Sequence, residues 1–261
     1  MPTRISAELS HICPLQEITA HAAALEACGF YRAWVPDTLV SPWEAWLAAS
    51  LVMQTTTRVQ IGLGVTNPYT RHPVLMAQMA ATMQNASSGR LALSIGKGNG
   101  RFLDKAGVVQ HPTAVEECVT VMRGLLAGER TSLMGTAFHI DAMLLRTRPP
   151  ATPVPIFLAA IGPSGWEMAL RVADGIVTVW SDTVVETRRQ AMPQRPLPTA
   201  ILLPFAQSRT DFFSRPLTSL AALQERVATL EAAGFDEVIV AYADMADLEV
   251  VARLLEDPHP R

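Results

Sequence analysis

A (β/α)8 barrel is the fold this sequence predicts, and three observations predict it. Strand-like and helix-like patterns alternate from end to end, giving eight strands separated by helical or turn segments. The strand interiors are mostly apolar, as expected of parallel strands covered on both faces. The 261 residues suit one closed barrel of about 250 residues, a single domain over residues 1–261. A doubly wound sheet is the alternative, but eight regular units without a separate second block favour closure.

The elements follow from local chemistry. Residues 4–9 form a strand, and residues 14–27 a helix that opens with Pro14 and stops at Cys28-Gly29. A strand at 31–35 precedes an apolar helix at 42–54. The third strand, 59–65, leads through a polar loop to a helix at 74–85, where Met76, Met79 and Met83 recur at helical spacing and mark a core face. A fourth strand at 91–95 runs into a glycine-rich turn, and a helix at 113–126 stops near Gly128. Residues 131–140, with Gly135 near the centre, read as a small hairpin outside the alternation. The proline-rich run 148–155 is an extended approach to the fifth strand, 156–160, which is followed by a helix at 164–173. Next come a strand at 176–180, a short helix at 183–190, a proline-flanked connection at 193–198 and a strand at 200–205. A helix at 217–233, a strand at 237–242 and a helix at 245–255 complete the set. The turns Ala27-Cys28-Gly29-Phe30 and Ala232-Ala233-Gly234-Phe235 share one design, glycine after a helix and an aromatic before a strand.

Composition excludes several function classes. Hydrophobic residues make up 49% and charged residues 17%, which argues against disorder. A formal net charge of −3 with scattered arginines offers no basic field for nucleic acid. Cys13, Cys28 and Cys118 contain no C-x-x-C pair, so a reducing compartment is expected rather than disulfides or structural zinc. No apolar run reaches about 18 residues, and Met1-Pro2-Thr3-Arg4 leads into a strand without a basic-then-apolar leader. A cytoplasmic protein without membrane partners is the expectation.

In a parallel barrel, chemistry collects where strands end. Gly62 and Gly64 remove side chains where a flat group could approach the backbone, while Thr66 and Asn67 add hydrogen-bonding groups. Glu8 is the lone charge in Ile5-Ser6-Ala7-Glu8-Leu9. Desolvation at a dry barrel mouth raises a carboxyl's pKa, which makes Glu8 a candidate general acid. Asp37 follows Trp34-Val35-Pro36 and is placed to orient a ring nitrogen or cap its loop. Gly96-Lys97-Gly98-Asn99-Gly100 offers backbone amides and a cation to an anion, though it is neither a P-loop nor G-x-G-x-x-G. Ile161-Gly162-Pro163-Ser164-Gly165 opens a helix after the fifth strand, a second amide-rich position. His11, His21, His72, His111, His139 and His259 show no metal-binding spacing, and no G-x-S-x-G elbow exists. The pattern favours a flat, phosphate-bearing cofactor over metal or acyl chemistry.

Residues 62–73, with the core Gly64-Val65-Thr66-Asn67-Pro68-Tyr69-Thr70-Arg71, resemble methylene-tetrahydromethanopterin reductases of the bacterial luciferase-like superfamily. Further similarity lies at Gly29-Phe30, Trp34 to Asp37, Ser88-Gly89-Arg90-Leu91, Ile95-Gly96, residues 125–129 and 155–163, and Ala173-Asp174-Gly175. The resemblance spans roughly residues 3–180 and returns at 218–243. It implies a (β/α)8 barrel using coenzyme F420, a 5-deazaflavin hydride carrier, with FMN or NAD(P)H as the alternative hydride source. It further implies reduction of a small-molecule C1-pterin, a methylene-tetrahydromethanopterin or methylene-tetrahydrofolate, in a protein that pairs as a homodimer. On this resemblance Glu8 and Asp37 are the catalytic candidates, with Glu8 the proton donor to the pterin nitrogen. The Gly64–Val65 bond matches a non-prolyl cis peptide behind the deazaflavin, with Thr66 and Asn67 beside it. Cofactor contacts come from Gly96, Lys97, Gly98 and Asn99, from Ala160, Ile161 and Gly162, and from Gly175 and Ile176; no metal is implied.

Three departures stand out. The family's fourth-strand loop reads Gly-Pro-Gly-Asp, whereas this chain has Gly96-Lys97-Gly98-Asn99. Thr38 replaces a histidine after the second-strand aspartate, and only residues 206–216 stand where the family carries a helical insertion after the seventh strand. A cleft more open on that side is expected. A flavin-dependent monooxygenase of the same superfamily and a non-catalytic flavin- or pterin-binding barrel are the alternatives.

Overall fold

The computed structural model describes residues 2–191, 196–208 and 214–256. In chain order its strands are β1 (Arg4–Glu8), β2 (Arg32–Val35), β3 (Gln60–Thr66), β4 (Leu91–Ile95), β5 (Thr131–Met134), β6 (His139–Met143), β7 (Ile156–Ala159), β8 (Gly175–Val179), β9 (Thr199–Phe205) and β10 (Glu237–Tyr242). The helices are α1 (Ile18–Cys28), α2 (Ala45–Thr55), α3 (Pro73–Ala86), α4 (Gly100–Lys105), α5 (Ala114–Leu126), α6 (Pro163–Val172), α7 (Val184–Ala191), α8 (Leu220–Ala232) and α9 (Met245–Ala252). Eight strands close a parallel barrel in the order β1-β10-β9-β8-β7-β4-β3-β2, and β5 and β6 form a separate antiparallel hairpin. The fold is the (β/α)8 barrel that the alternation predicts.

Two apolar cores result, because each barrel strand has two covered faces. Outward side chains such as Ala33, Val35, Ile61, Leu63, Leu91 and Leu93 meet the helices. Inward side chains of alternating positions form a smaller core of Trp34, Ala92, Phe157, Val177, Ala200 and Ile239. Its lower layer is a polar cluster centred on Glu237. Glu237 accepts from Ser6 Oγ at 2.7 Å, Arg32 Nη1 at 2.7 Å and Trp34 Nε1 at 2.8 Å. The Arg32 guanidinium also lies over the Trp34 and Phe157 rings, at 5.1 and 5.6 Å from their centroids. This fills the barrel from below, and a cavity opens towards the carboxyl ends of the strands.

The two turns of matching design behave alike. Gly29 and Gly234 adopt φ of 85° and 80°, and the next residues, Phe30 and Phe235, donate back to Leu25 and Leu230. Other elements differ from expectation for local reasons. The helix expected at 14–27 divides into a 3-10 turn at Leu15–Glu17 and α1. The helix expected from residue 42 starts at Ala45, because the Glu44 carboxylate accepts from Leu47 N at 2.8 Å and caps it. The glycine-rich turn after β4 leads into α4, a helix absent from the sequence reading, with Asn99 accepting from Arg101 N at 3.2 Å as its cap. The hairpin extends to Met143, with Ala142 at φ 46°. Residues 192–195 and 209–213, parts of the connections expected at 193–198 and 206–216, lie outside the described residues.

Candidate functional site

A cavity of about 1130 Å³ opens at the carboxyl end of the barrel. Its floor is apolar, with Val177, Leu202 and Ile239 from the inner core beside Trp34. Its walls come from the loops after β2, β3, β4 and β7. This is where a parallel barrel assembles its chemistry.

Glu8 ends β1 and reaches this cavity beside its register partner Trp34. Among the described residues its carboxyl group has no hydrogen-bond or ion-pair partner. Burial in apolar surroundings pushes its pKa from 4.5 up to about 8. The group therefore holds its proton at neutral pH and can donate it to whatever occupies the cavity.

Asp37, in the loop after β2, is differently placed. Arg71 Nη1 donates to Asp37 Oδ2 at 2.9 Å, and Arg71 Nη2 pairs with Glu44. Burial raises the Asp37 pKa, and Arg71 and the Thr66 hydroxyl offset only part of that rise. Arg71 thus ties the β3 loop to the start of α2 and commits its charge to two carboxylates. Asn67 orders the same loop, with Oδ1 accepting from the Tyr69 and Thr70 amides at 3.1 and 3.0 Å.

The Gly64–Val65 peptide bond is cis, as the resemblance implied, and the β3–β4 register shifts between Leu63 and Thr66. Close packing explains the glycines around it. A Cβ at Gly64 would lie 2.5 Å from Ser94 Cβ and 2.9 Å from Ser94 O. A Cβ at Gly96 would lie 2.8 Å from both Ala159 Cβ and Val65 Cγ1. The Gly96 amide donates to Thr66 O at 2.9 Å, locking the β3 and β4 loops together.

Two amide-rich edges face the cavity. After β4, the Lys97, Gly98 and Asn99 amides have no acceptor among the described residues, and Gly98 takes φ 66° against the Asn67 amide. After β7, Gly162 caps the start of α6, and the Ile161, Gly162 and Ser164 amides have none either. Unpaired N–H groups at a loop and a helix start are suited to phosphate oxygens. Ser94 Oγ is a further polar atom lining the cavity, buried and without a partner among the described residues.

The structure brings together most of the residues singled out by sequence. Glu8, Asp37, Gly64, Val65, Asn67, Gly96, Lys97, Gly98, Asn99, Ala160, Ile161 and Gly162 all line the cavity. Thr66 is fully buried and does not line it. Gly175 and Ile176 do not line it: they open β8 at the far end of the barrel, with Gly175 packed on Phe157 and Ile176 in the outer core. That is a correction, because the entry end of a barrel strand points away from the mouth. Sequence reading missed Ser94, Leu39, Val40, Phe102, Met168 and Val179, which also line the cavity. Only inward alternation, counted from a known register, could have marked Ser94 and Val179. No cluster of metal-ligating residues is present among the described residues, and no described helix is long and apolar enough to cross a membrane.

Comparison with known proteins adds relatives to this geometry. The family model for luciferase-like monooxygenases matches residues 1–194. The F420-dependent hydroxymycolic acid dehydrogenase of Mycobacterium tuberculosis is 35% identical over 174 residues, which cover 60% of this chain and 47% of that protein. The 5,10-methylenetetrahydromethanopterin reductase of Methanolobus tindarius is 30% identical over 166 residues, covering 63% of this chain and 50% of that protein. The chain thus spans about half the length of the curated relatives it matches. The solved coenzyme F420-dependent tetrahydromethanopterin reductase of Methanopyrus kandleri shares the fold, with a TM-score of 0.81 at 18% identity over 97% of this chain and 98% of that one.

Proposed function

The chain belongs to the luciferase-like monooxygenase family, and from that premise we propose that it is an F420-dependent oxidoreductase in which Glu8 is the proton donor. The observation that carries this is a protonated, partnerless Glu8 in a cavity edged by two sets of unpaired amides. The names of the relatives in Mycobacterium and Methanolobus support the choice of reaction class.

The residues present fit such a cofactor. Val65, Val177 and Leu202 give a planar ring apolar walls, and the buried Ser94 hydroxyl offers a hydrogen bond to a ring heteroatom. The Lys97 to Asn99 and Ile161 to Ser164 amides would hold the phosphate, with Lys97 adding charge. When bound, reduced F420 supplies a hydride. Glu8 holds its proton up to pH of about 8 and releases it to the substrate atom that gains electron density. Asp37, fixed by Arg71, orients a polar group at the same mouth. The apolar floor excludes water, which keeps the carboxyl group neutral.

For the substrate, the proposal is a methylene-bridged tetrahydropterin, whose ring nitrogen takes the Glu8 proton as the bridge opens. A carbonyl–alcohol couple is the second reading, favoured by the apolar lining, with the same proton placed on oxygen. The test is oxidation of reduced F420 with methylene-tetrahydromethanopterin and with methylene-tetrahydrofolate, run beside reduced FMN and NADPH. Turnover with reduced F420 supports the proposal. Oxygen-dependent turnover with reduced FMN alone would assign a monooxygenase, and binding without turnover of any donor would assign a non-catalytic barrel.

A further inference from the structure

We infer that the part of the substrate next to its reacting atom is uncharged and apolar, gripped across the barrel mouth between Leu39–Val40 on one side and Ile161–Val179 on the other. The inference rests on the F420 reading of the cavity and specifies its substrate.

Position comes first. In the order β1-β10-β9-β8-β7-β4-β3-β2, β2 stands directly opposite β8, with β7 next to β8. Leu39 and Val40 follow β2, Val179 ends β8, and Ile161 follows β7. The two pairs therefore face one another across the opening, and all four residues line the cavity.

Exposure comes second. Leu39 is 58% exposed, Val40 49%, Ile161 70% and Val179 38%. Large aliphatic side chains are costly to leave in water at about 25 cal/mol per Å2. Scattered single cases need no cause, but two opposed pairs of exposed aliphatic residues on the rim of one cavity mark a binding surface.

Charge comes third. An anionic group would need a cation on this rim. Arg71 is committed to Asp37 and Glu44. Lys97 stands at the amide loop after β4, where the cofactor phosphate would take its charge, and burial lowers the pKa of His11, the remaining basic group lining the cavity among the described residues. With the Ile161 to Ser164 amides taken by the cofactor phosphate, Asp37 would repel an anion, and a carboxylate laid on Leu39 or Val179 would be desolvated without a partner. Apolar lining and charge together select a neutral ring or aliphatic chain at this rim.

Calorimetric titration of the F420-loaded protein with two matched probes tests this. The probes are 4-phenylbutan-2-one and its analogue carrying a carboxylate at the para position. The neutral probe is expected to bind at least tenfold more tightly, and Leu39→Ser with Val179→Thr should remove about tenfold of its affinity while far-ultraviolet circular dichroism stays unchanged. Equal or tighter binding of the carboxylate probe overturns the inference, as does a double variant that binds the neutral probe like the wild type. The same titration without cofactor separates the two claims. Failure to bind F420 with the neutral preference intact contradicts the cofactor reading alone; F420 binding without the preference contradicts the apolar grip alone.

Discussion

Glu8 and Trp34 are register partners across the β1–β2 seam, and they share the cavity with opposite fates. The Trp34 indole is tied to Glu237 at 2.8 Å, whereas the Glu8 carboxyl meets no polar partner among the described residues. The tied residue forms the floor; the untied one is left to act.

Replacing Glu8 with Gln should cut reduction at pH 7 by about 100-fold, the usual contribution of a positioned acid. In the wild type, the rate should be flat below neutrality and fall about tenfold per pH unit above pH 8, where the proton is lost. Steady-state rates from pH 5 to 10 check both, and the Gln variant should lack the alkaline limb.

The same proton makes stability depend on pH. Between pH 4.5 and about 8 the folded state keeps a proton that the unfolded chain releases, so the fold loses stability as pH rises through that window. Urea unfolding of wild type and Glu8→Gln at pH 5, 7 and 9 should show the variant gaining relative stability at each step. Parallel curves would contradict the burial of Glu8.

Glu26 carries the opposite sign. Its carboxylate accepts from the Thr57, Arg58 and Val59 amides at 2.9, 2.7 and 2.9 Å, at the entry to β3. Against the upward push of desolvation, those amides lower its pKa from 4.5 to about 2. Stability from this contact is present above pH 4.5 and lost as pH falls towards 2. Glu26→Gln should cost about 1 kcal/mol at pH 7, the amide contacts being partly open to solvent, and markedly less at pH 2, measured by chemical denaturation.

Glu237→Ala should cost about 4 kcal/mol, because it leaves the buried Arg32 guanidinium without its carboxylate. Ser6 and Trp34 lose their acceptor as well. The melting temperature should fall by on the order of 10 °C.

Gly64→Ala should destabilise by about 2 kcal/mol through overpacking, since its Cβ would meet Ser94 backbone and Cβ rather than a flexible side-chain end. Circular dichroism melts give the stability, and F420 affinity should fall with it because Gly64 and Ser94 both line the cavity.

The fold was legible because alternation and strand apolarity are properties of consecutive residues. Glu8, Asp37 and the two glycine-bearing edges were legible for the same reason, each lying next to the end of a recognisable strand. Ser94 and Val179 were not, because facing inward depends on the register of a closed sheet. Gly175 and Ile176 failed on direction: a motif carried from a relative marks a strand but not which end of it meets the ligand. The Arg71 bridge joins residues 34 positions apart along the chain, a pairing no local pattern encodes. Helix α4 escaped because Gly98 and Gly100 argue for a turn, while the Asn99 cap that starts it is visible only in three dimensions.

The central claim is that the cavity above Trp34 holds F420 and delivers a proton from Glu8. Anaerobic titration of the purified chain with F420, followed by quenching of deazaflavin fluorescence and repeated with Glu8→Gln, tests it most directly. The account predicts saturable one-to-one binding in both proteins, with oxidation of reduced F420 by substrate about 100-fold slower in the variant. Absence of F420 binding, or full turnover by the Gln variant, would contradict it.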